Sequence, residues 1–244
     1  MNEQLLLSNI RHVLIRLEET ILFALIERAQ FKQNPIIYDF EAFPDFTEGE
    51  SLVGYLLRET ECIHARMRRY TSPDEYPFFD NLPEPILPCL RYDENPLHGK
   101  TINLNPEIRQ TYEEYVVPLI CAAGDDKQYG SCAVCDVNCL QSLSKRIHYG
   151  MFVAESKYVQ APSRFDAYIT VGDIESIERA ITDVGVERQV LDRVARKASM
   201  YLREVNACTR TKQVDPGKIV QIYRDWIIPA TKRVEVEYLL RRHE

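Results

Sequence analysis

The feature that most restricts what this chain can become is the interval at which its apolar residues recur. After a candidate cap at Ser8, the residues Ile10, Val13, Leu14, Leu17, Ile21 and Leu25 fall mostly three or four apart, which is the repeat of a helix with one buried face. The same spacing returns over Ser51–Tyr70 (Leu52, Tyr55, Leu56, Ile63, Met67), from Pro106 to about Ala122, from Asp136 as a candidate cap to about Lys157, over about 173–182 and 185–205, and from Pro216 to Arg242. No run of four residues reads as a strand. Glycine points the same way: nine in 244 residues is about half the usual share, and few glycines means few tight turns. The expectation is an all-α single-domain helical bundle over residues 1–244, with no linker at which to divide it.

Residues 33–50 read as loop. Seven of the 13 prolines lie between Pro73 and Pro106, so that stretch is expected to be irregular and to carry function or buttress the core. A weak internal echo pairs Tyr112-Glu-Glu-Tyr-Val-Val-Pro118 with Tyr223-Arg-Asp-Trp-Ile-Ile-Pro229. Each puts a proline inside apolar helix, where a kink is expected.

Composition removes several function classes. A net charge of −7 and a pI near 5.4 leave no general positive field for nucleic acid or an anionic membrane, although a local cationic pocket is allowed. The longest nearly apolar stretch, Tyr115–Ala123, is far short of the roughly 20 residues that span a bilayer. The N-terminus lacks a signal-peptide core and a transit-peptide composition, so the chain as given is expected to be cytoplasmic, or plastid if a transit peptide has been removed. Seven cysteines, an odd number, suit reduced thiols. Cys132, Cys135 and Cys139 raise a zinc reading, but no second ligand pair follows at suitable spacing, and buried small apolar side chains explain them better. The nucleotide, P-loop, nucleophile-elbow and metalloprotease signatures are all missing, and the five histidines have no evident partner in sequence.

Two constellations remain. Arg146, Gly150, Val153 and Lys157 step by four, three and four, which would line one helical face with cations about 16 Å apart along the axis. Gly150 costs about 1 kcal/mol in a helix relative to alanine, and its missing side chain would leave room for a small dianion. By spacing alone, a solvated cationic face with an incidental glycine is the better reading of the same residues. Near the C-terminus, Thr231 and Glu235 lie among Ile228, Val234, Val236, Tyr238 and Leu239. A carboxyl group there would have a raised pKa and could donate a hydrogen bond, whereas an exposed helix would simply turn Glu235 and Glu237 outward. Arg11 and Arg16 are ambiguous on the rim of the first helix.

Several runs resemble the fungal and plant type of chorismate mutase: Cys139-Leu-Gln-Ser-Leu-Ser-Lys-Arg-Ile-His-Tyr-Gly150, Phe152-Val-Ala-Glu-Ser-Lys157 and Thr231-Lys-Arg-Val-Glu-Val-Glu-Tyr-Leu-Leu-Arg-Arg242. Asn9-Ile-Arg11, Ser72-Pro-Asp-Glu-Tyr-Pro-Phe-Phe79 and Gly124-Asp-Asp-Lys-Gln-Tyr-Gly-Ser131 extend the likeness over nearly the whole chain, and Ala133-Val-Cys-Asp136 looks closer to the plant members. The resemblance implies an all-helical homodimer that converts chorismate to prephenate without cofactor or covalent intermediate. By motif it implies Arg11 and Arg146 on the two carboxylates, Lys157 on a carboxylate and the ether oxygen, protonated Glu235 on the same oxygen beside Thr231, and Glu187 on the substrate hydroxyl. Asp183 stands where the yeast pattern has asparagine. The resemblance also implies an effector site at a dimer interface for tyrosine, phenylalanine or tryptophan, with Arg68, Arg69, Gly130 and Ser131; Val134 replaces a threonine there. The competing class is a catalytically silent helical dimer that binds aromatic amino acids, and retention of Arg146 and Lys157 counts against it. An acidic helical scaffold explains the composition but not the Arg-Gly-Val-Lys face.

Overall fold

The computed structural model describes residues 5–47, 49–88, 95–99, 102–208 and 214–244. Twelve α-helices follow in order: α1 Leu7–Arg28, α2 Pro44–Thr47, α3 Leu52–Arg66, α4 Asn105–Thr111, α5 Val117–Ile120, α6 Tyr129–His148, α7 Gly150–Gln160, α8 Pro162–Val171, α9 Ile174–Ile181, α10 Val184–Cys208, α11 Pro216–Ile222 and α12 Ile228–Arg241. Among the described residues the sole β pairing is an isolated bridge between Lys32 and Ala122. No helix is long and apolar enough to cross a membrane among those residues.

Helix α1 begins at Leu7, one residue before the expected cap, and its apolar stripe packs along α6. Ser51 caps α3 as its type suggests, accepting from the Gly54 N–H at 3.1 Å, and Asp173 caps α9 by accepting from Ser176 N–H at 3.0 Å. Helix α8 was not expected from periodicity, yet Pro162 in its first turn and Gly172 in the left-handed conformation at its end are ordinary start and stop signals.

The two echoing segments share one structure. Tyr112–Val116 and Tyr223–Ile227 each form a π-helical turn that joins α4 to α5 and α11 to α12. Val117 N–H bonds Tyr112 C=O and Ile228 N–H bonds Tyr223 C=O, five residues back instead of four. The widened turn moves the backbone carbonyl that would meet the ring of Pro118 or Pro229, so the expected proline distortion is taken up as an extra residue per turn. Both opening tyrosines are fully buried.

Asp136 does not cap a helix. Seven residues inside α6, it is fully buried and accepts from Arg28 Nε at 2.6 Å, Tyr112 OH at 2.6 Å and Tyr38 OH at 2.8 Å. The helix starts earlier because the Asp126 carboxylate already satisfies the turn, accepting from Gln128 N–H, Lys32 N–H and the Asn34 side chain. Arg28 also donates to the carbonyls of Lys32 and Gln33, so one guanidinium joins the end of α1, the following turn and the middle of α6. Cys132 and Cys139 are buried on the core side of α6, and Cys132 accepts from Asn34 Nδ2 at 3.0 Å. No group of three metal-binding side chains stands together among the described residues.

The described part of the proline-rich stretch is irregular and buttresses the core. The buried Glu61 carboxylate of α3 accepts from the N–H groups of Phe78 and Phe79, and Asn105 donates to the carbonyls of Tyr76 and Pro77. The polar linker expected before Pro216 falls mostly outside the described residues.

Replacing Asp136 by alanine leaves a buried guanidinium uncompensated. Urea unfolding of Asp136→Ala is expected to show a loss of about 3–5 kcal/mol.

Candidate active site

Helix α1 turns Leu7, Arg11, Leu14 and Glu18 toward one side, and these residues form a wall of a cavity of about 600 Å³. Opposite it stand Arg146 from α6, Val153 and Lys157 from α7, Asp183 and Glu187 where α10 begins, and Thr231, Lys232 and Glu235 from α12. All six side chains expected to bear on catalysis, Arg11, Arg146, Lys157, Glu187, Thr231 and Glu235, therefore meet in one cavity, together with Asp183. Its lining holds five cationic side chains against four carboxyl groups. The local sign is thus opposite to that of the whole chain.

Arg146 and Lys157 are not on one continuous helix. Tyr149 interrupts it between α6 and α7, although its N–H still bonds Lys145 C=O, so the two cations stay on the same side. Arg146 is almost wholly buried; its Nη1 donates to Thr231 Oγ1 at 3.2 Å, and its Nε has no partner among the described residues. The Thr231 hydroxyl spends its own proton on Ile227 C=O at 2.7 Å, which turns a lone pair toward Arg146. No described carboxylate lies within ion-pair distance of Arg146 or of the exposed Arg11.

Lys157 Nζ donates to Glu235 Oε2 at 3.0 Å and to Ile181 C=O, the last carbonyl of α9, whose orphaned acceptor suits a cation. Glu235 is 5% exposed. Burial pushes its carboxyl pKa above the ordinary value, and the charges of Lys157 and Arg146 offset that only in part. Glu187 pairs with Lys232 at 3.0 Å. Asp183 accepts from Val186 N–H at 3.1 Å and so caps α10 while lining the cavity.

Gly150 does not leave room for a ligand. A Cβ there would stand 2.9 Å from Thr231 C=O, 3.1 Å from Thr231 Cγ2 and 3.4 Å from Glu235 Cγ. The missing side chain admits α12, and it is this approach that brings Thr231 and Glu235 to the cations of α6 and α7.

Three charged members of the site escaped the reading of the sequence: Lys232, which pairs with Glu187, and two that pair with each other. Glu18, 1% exposed, takes both Nε and Nη2 of Arg193 at 2.7 Å, and both residues line the cavity. A signal was present for Glu18, which interrupts the apolar stripe of α1 between Leu14 and Leu22; Arg193 carries none of its own.

The residues expected at an effector site do not assemble within one chain. Arg69 borders a second cavity, of about 510 Å³, between α1 and α6, where its guanidinium bonds Glu75, Gln141 and His64. Arg68 has left-handed backbone and donates to Pro88 C=O. Gly130, Ser131 and Val134 are exposed at the start of α6 and do not line that cavity.

An all-helical chain with a cationic cavity and one buried carboxyl whose pKa is raised by burial fits an enzyme class that acts on a small anion by charge stabilisation. Residues 128–236 match the family model for chorismate mutase type II. The chorismate mutase of Schizosaccharomyces pombe is 47% identical, covering 99% of this chain and 98% of its own. Among solved structures, the chloroplast chorismate mutase from Zea mays has a TM-score of 0.90 at 43% identity, covering 99% of this chain and 96% of that one. The chorismate mutase AtCM1, with tyrosine bound in its allosteric site, has a TM-score of 0.89 at 43% identity, covering 100% and 98%. The chain belongs to the chorismate mutase family. The fungal and plant figures lie within a few per cent of each other, so the plant-like detail at Ala133–Asp136 is local.

Gly150→Ala is expected to separate α7 from α12 and to lower kcat by about tenfold, equivalent to about 1.4 kcal/mol, with the helical circular dichroism retained. Wild-type kcat in that variant would show that the close approach is unnecessary.

Proposed function

We propose that this chain rearranges chorismate to prephenate in the cavity between α1, α7, α10 and α12. The observation that carries the reading is the buried, ion-unpaired Arg146 guanidinium in a cavity whose lining is net positive. A buried charge without a counter-ion is costly, and a bound carboxylate supplies that counter-ion. Arg11 at the mouth takes the second carboxylate, and the two contacts hold the dianion in its compact reactive conformer.

The reaction breaks the carbon–oxygen ether bond as a carbon–carbon bond forms within the same molecule, and negative charge gathers on the ether oxygen. Lys157 and protonated Glu235 meet that charge. Because Lys157 occupies Oε2 of Glu235, the acidic proton is carried by Oε1 and donated from there. Donors aimed at developing charge in a site shielded from water stabilise the transition state more than the ground state. Glu187, held by Lys232, accepts from the substrate hydroxyl. Asp183 keeps its capping bond and borders the same end of the substrate. No cofactor takes part.

The chain forms one domain and acts as a homodimer. Arg68 and Arg69 of one subunit and Gly130, Ser131 and Val134 of the other together receive tyrosine, phenylalanine or tryptophan, a reading supported by the allosteric tyrosine of AtCM1. It works in the cytoplasm, or in a plastid if a transit peptide precedes it.

Incubation with chorismate is expected to yield prephenate well above the uncatalysed rate; turnover no faster than that would refute the reading. Glu235→Gln, which still donates a hydrogen bond, should keep substantial activity at neutral pH, whereas Glu235→Ala should lose about 10²–10³ in kcat. The raised pKa gives the pH dependence a sign: the active form is protonated, so kcat falls as pH rises from 6 to 9, and this alkaline loss disappears in Glu235→Gln. A wild-type kcat that rises over that range would eliminate Glu235 as the acid.

A further inference from the structure

We propose that Glu155, Tyr238 and Arg242, none of which touches the cavity, are positioning residues that set the register of α12 on α7 and thereby the contact between Lys157 and Glu235. The inference rests on the functional reading above. Along α12 and onto Arg242, the residue that follows it, Thr231, Glu235, Tyr238 and Arg242 step by four, three and four, so the stripe that enters the active site continues past the end of the helix. At that end the buried Glu155 of α7 is saturated: Oε2 accepts from Tyr238 OH at 2.6 Å and Arg242 Nε at 2.8 Å, and Oε1 accepts from Arg242 Nη2 at 2.8 Å. The guanidinium also lies 3.6 Å from the centre of the Tyr158 ring, on the same helix α7.

Two contacts hold the clamp from outside the pair of helices. His98 N–H donates to Tyr238 OH at 3.0 Å, and Gly99, in left-handed conformation, lies so close to Arg241 C=O that no Cβ would fit. The last turn of a helix ordinarily frays, but here Tyr238 and Arg242 are held by four hydrogen bonds.

The geometry connects this clamp to the chemistry. Glu155 and Lys157 are two residues apart, about 200° around the axis, so α7 reaches α12 from both flanks. Gly150 admits the first turn of α12, and Glu155 holds its last. Glu235 lies between these points, about two turns from Arg242, and an axial slip of α12 would carry its carboxyl away from Lys157. The carboxylate-binding Arg11 and Arg146 belong to other helices, and α12 reaches them only through the Thr231 hydroxyl on Arg146, so a slip falls first on the ether-oxygen contacts and less on substrate affinity.

The test is steady-state kinetics of Arg242→Met and Arg242→Lys, with wild type in the same assay. Arg242→Met is expected to lower kcat by about 10- to 100-fold with KM within about twofold, and Arg242→Lys to recover part of the loss. In a Glu235→Ala background, Arg242→Met should lower the residual kcat by less than about twofold, because both changes remove the same contact. Should Arg242→Met fail to fold by circular dichroism, Tyr238→Phe, which keeps the ion pair, carries the test with a kcat loss of about threefold at constant KM. Unchanged kcat in the folded variant, or a full loss repeated in the Glu235→Ala background, overturns the positioning role. Absence of wild-type turnover would instead overturn the functional reading itself, and this inference with it.

Discussion

The close approach of α12 to α7 at Gly150 is the constraint on which the site depends. Backbone meets backbone there with no space for a Cβ, so Thr231 and Glu235 arrive beside Arg146 and Lys157 instead of facing solvent. Gly150 opens α7 instead of lying in a helix interior, so glycine's usual interior cost of about 1 kcal/mol is an upper bound there, and the packing of α7 on α12 offsets it. The break at Tyr149 serves the same end: it separates α6, anchored deep in the core through Asp136 and Arg28, from α7, which follows α12.

Electrostatics follow from that packing. The chain is acidic overall, yet one cavity collects five cations, and the burial that makes it cavity-like also weakens solvent screening. Burial acts differently on two members of the set. It leaves the Arg146 guanidinium in need of a counter-ion, and it drives Glu235 toward its neutral, donating form. Glu18 and Arg193 close the cavity wall as a paired unit whose charges cancel, which leaves Arg146 and Arg11 as the cations open to an anion.

Helical periodicity was legible wherever a stripe was long and amphipathic, because burial of one face imposes the same spacing whatever it packs against. Reading was poorer where a polar residue had two structural uses. Asp136 has the chemistry of a cap, but a buried arginine 108 residues earlier in the chain gives it a core position. Helix α8 was missed although proline and glycine marked its ends. The echo around Pro118 and Pro229 indicated a local distortion, and its form, a π turn, depended on the burial of Tyr112 and Tyr223 on the core side. In the site, Arg146, Lys157, Thr231 and Glu235 were named through resemblance, since neither the cationic face nor the apolar-set glutamate could be told from an exposed helix by spacing alone. Arg193 gave no sign, because its partner lies 175 residues away.

Taken alone, the sequence determined the helical class, the stripes that would be buried, and the absence of the common nucleophile and nucleotide motifs. Those properties follow from local periodicity and side-chain chemistry, which act over one or two turns. The tertiary structure decided which cations remain without a counter-ion, that Gly150 makes way for a helix and not a ligand, and that the end of α12 is clamped by Glu155. These depend on distances between segments far apart in the chain, 78 residues for Lys157 and Glu235 and 83 for Glu155 and Tyr238, and desolvation, which raises the pKa of Glu235 and creates the demand of Arg146 for an anion, exists only once those segments have packed.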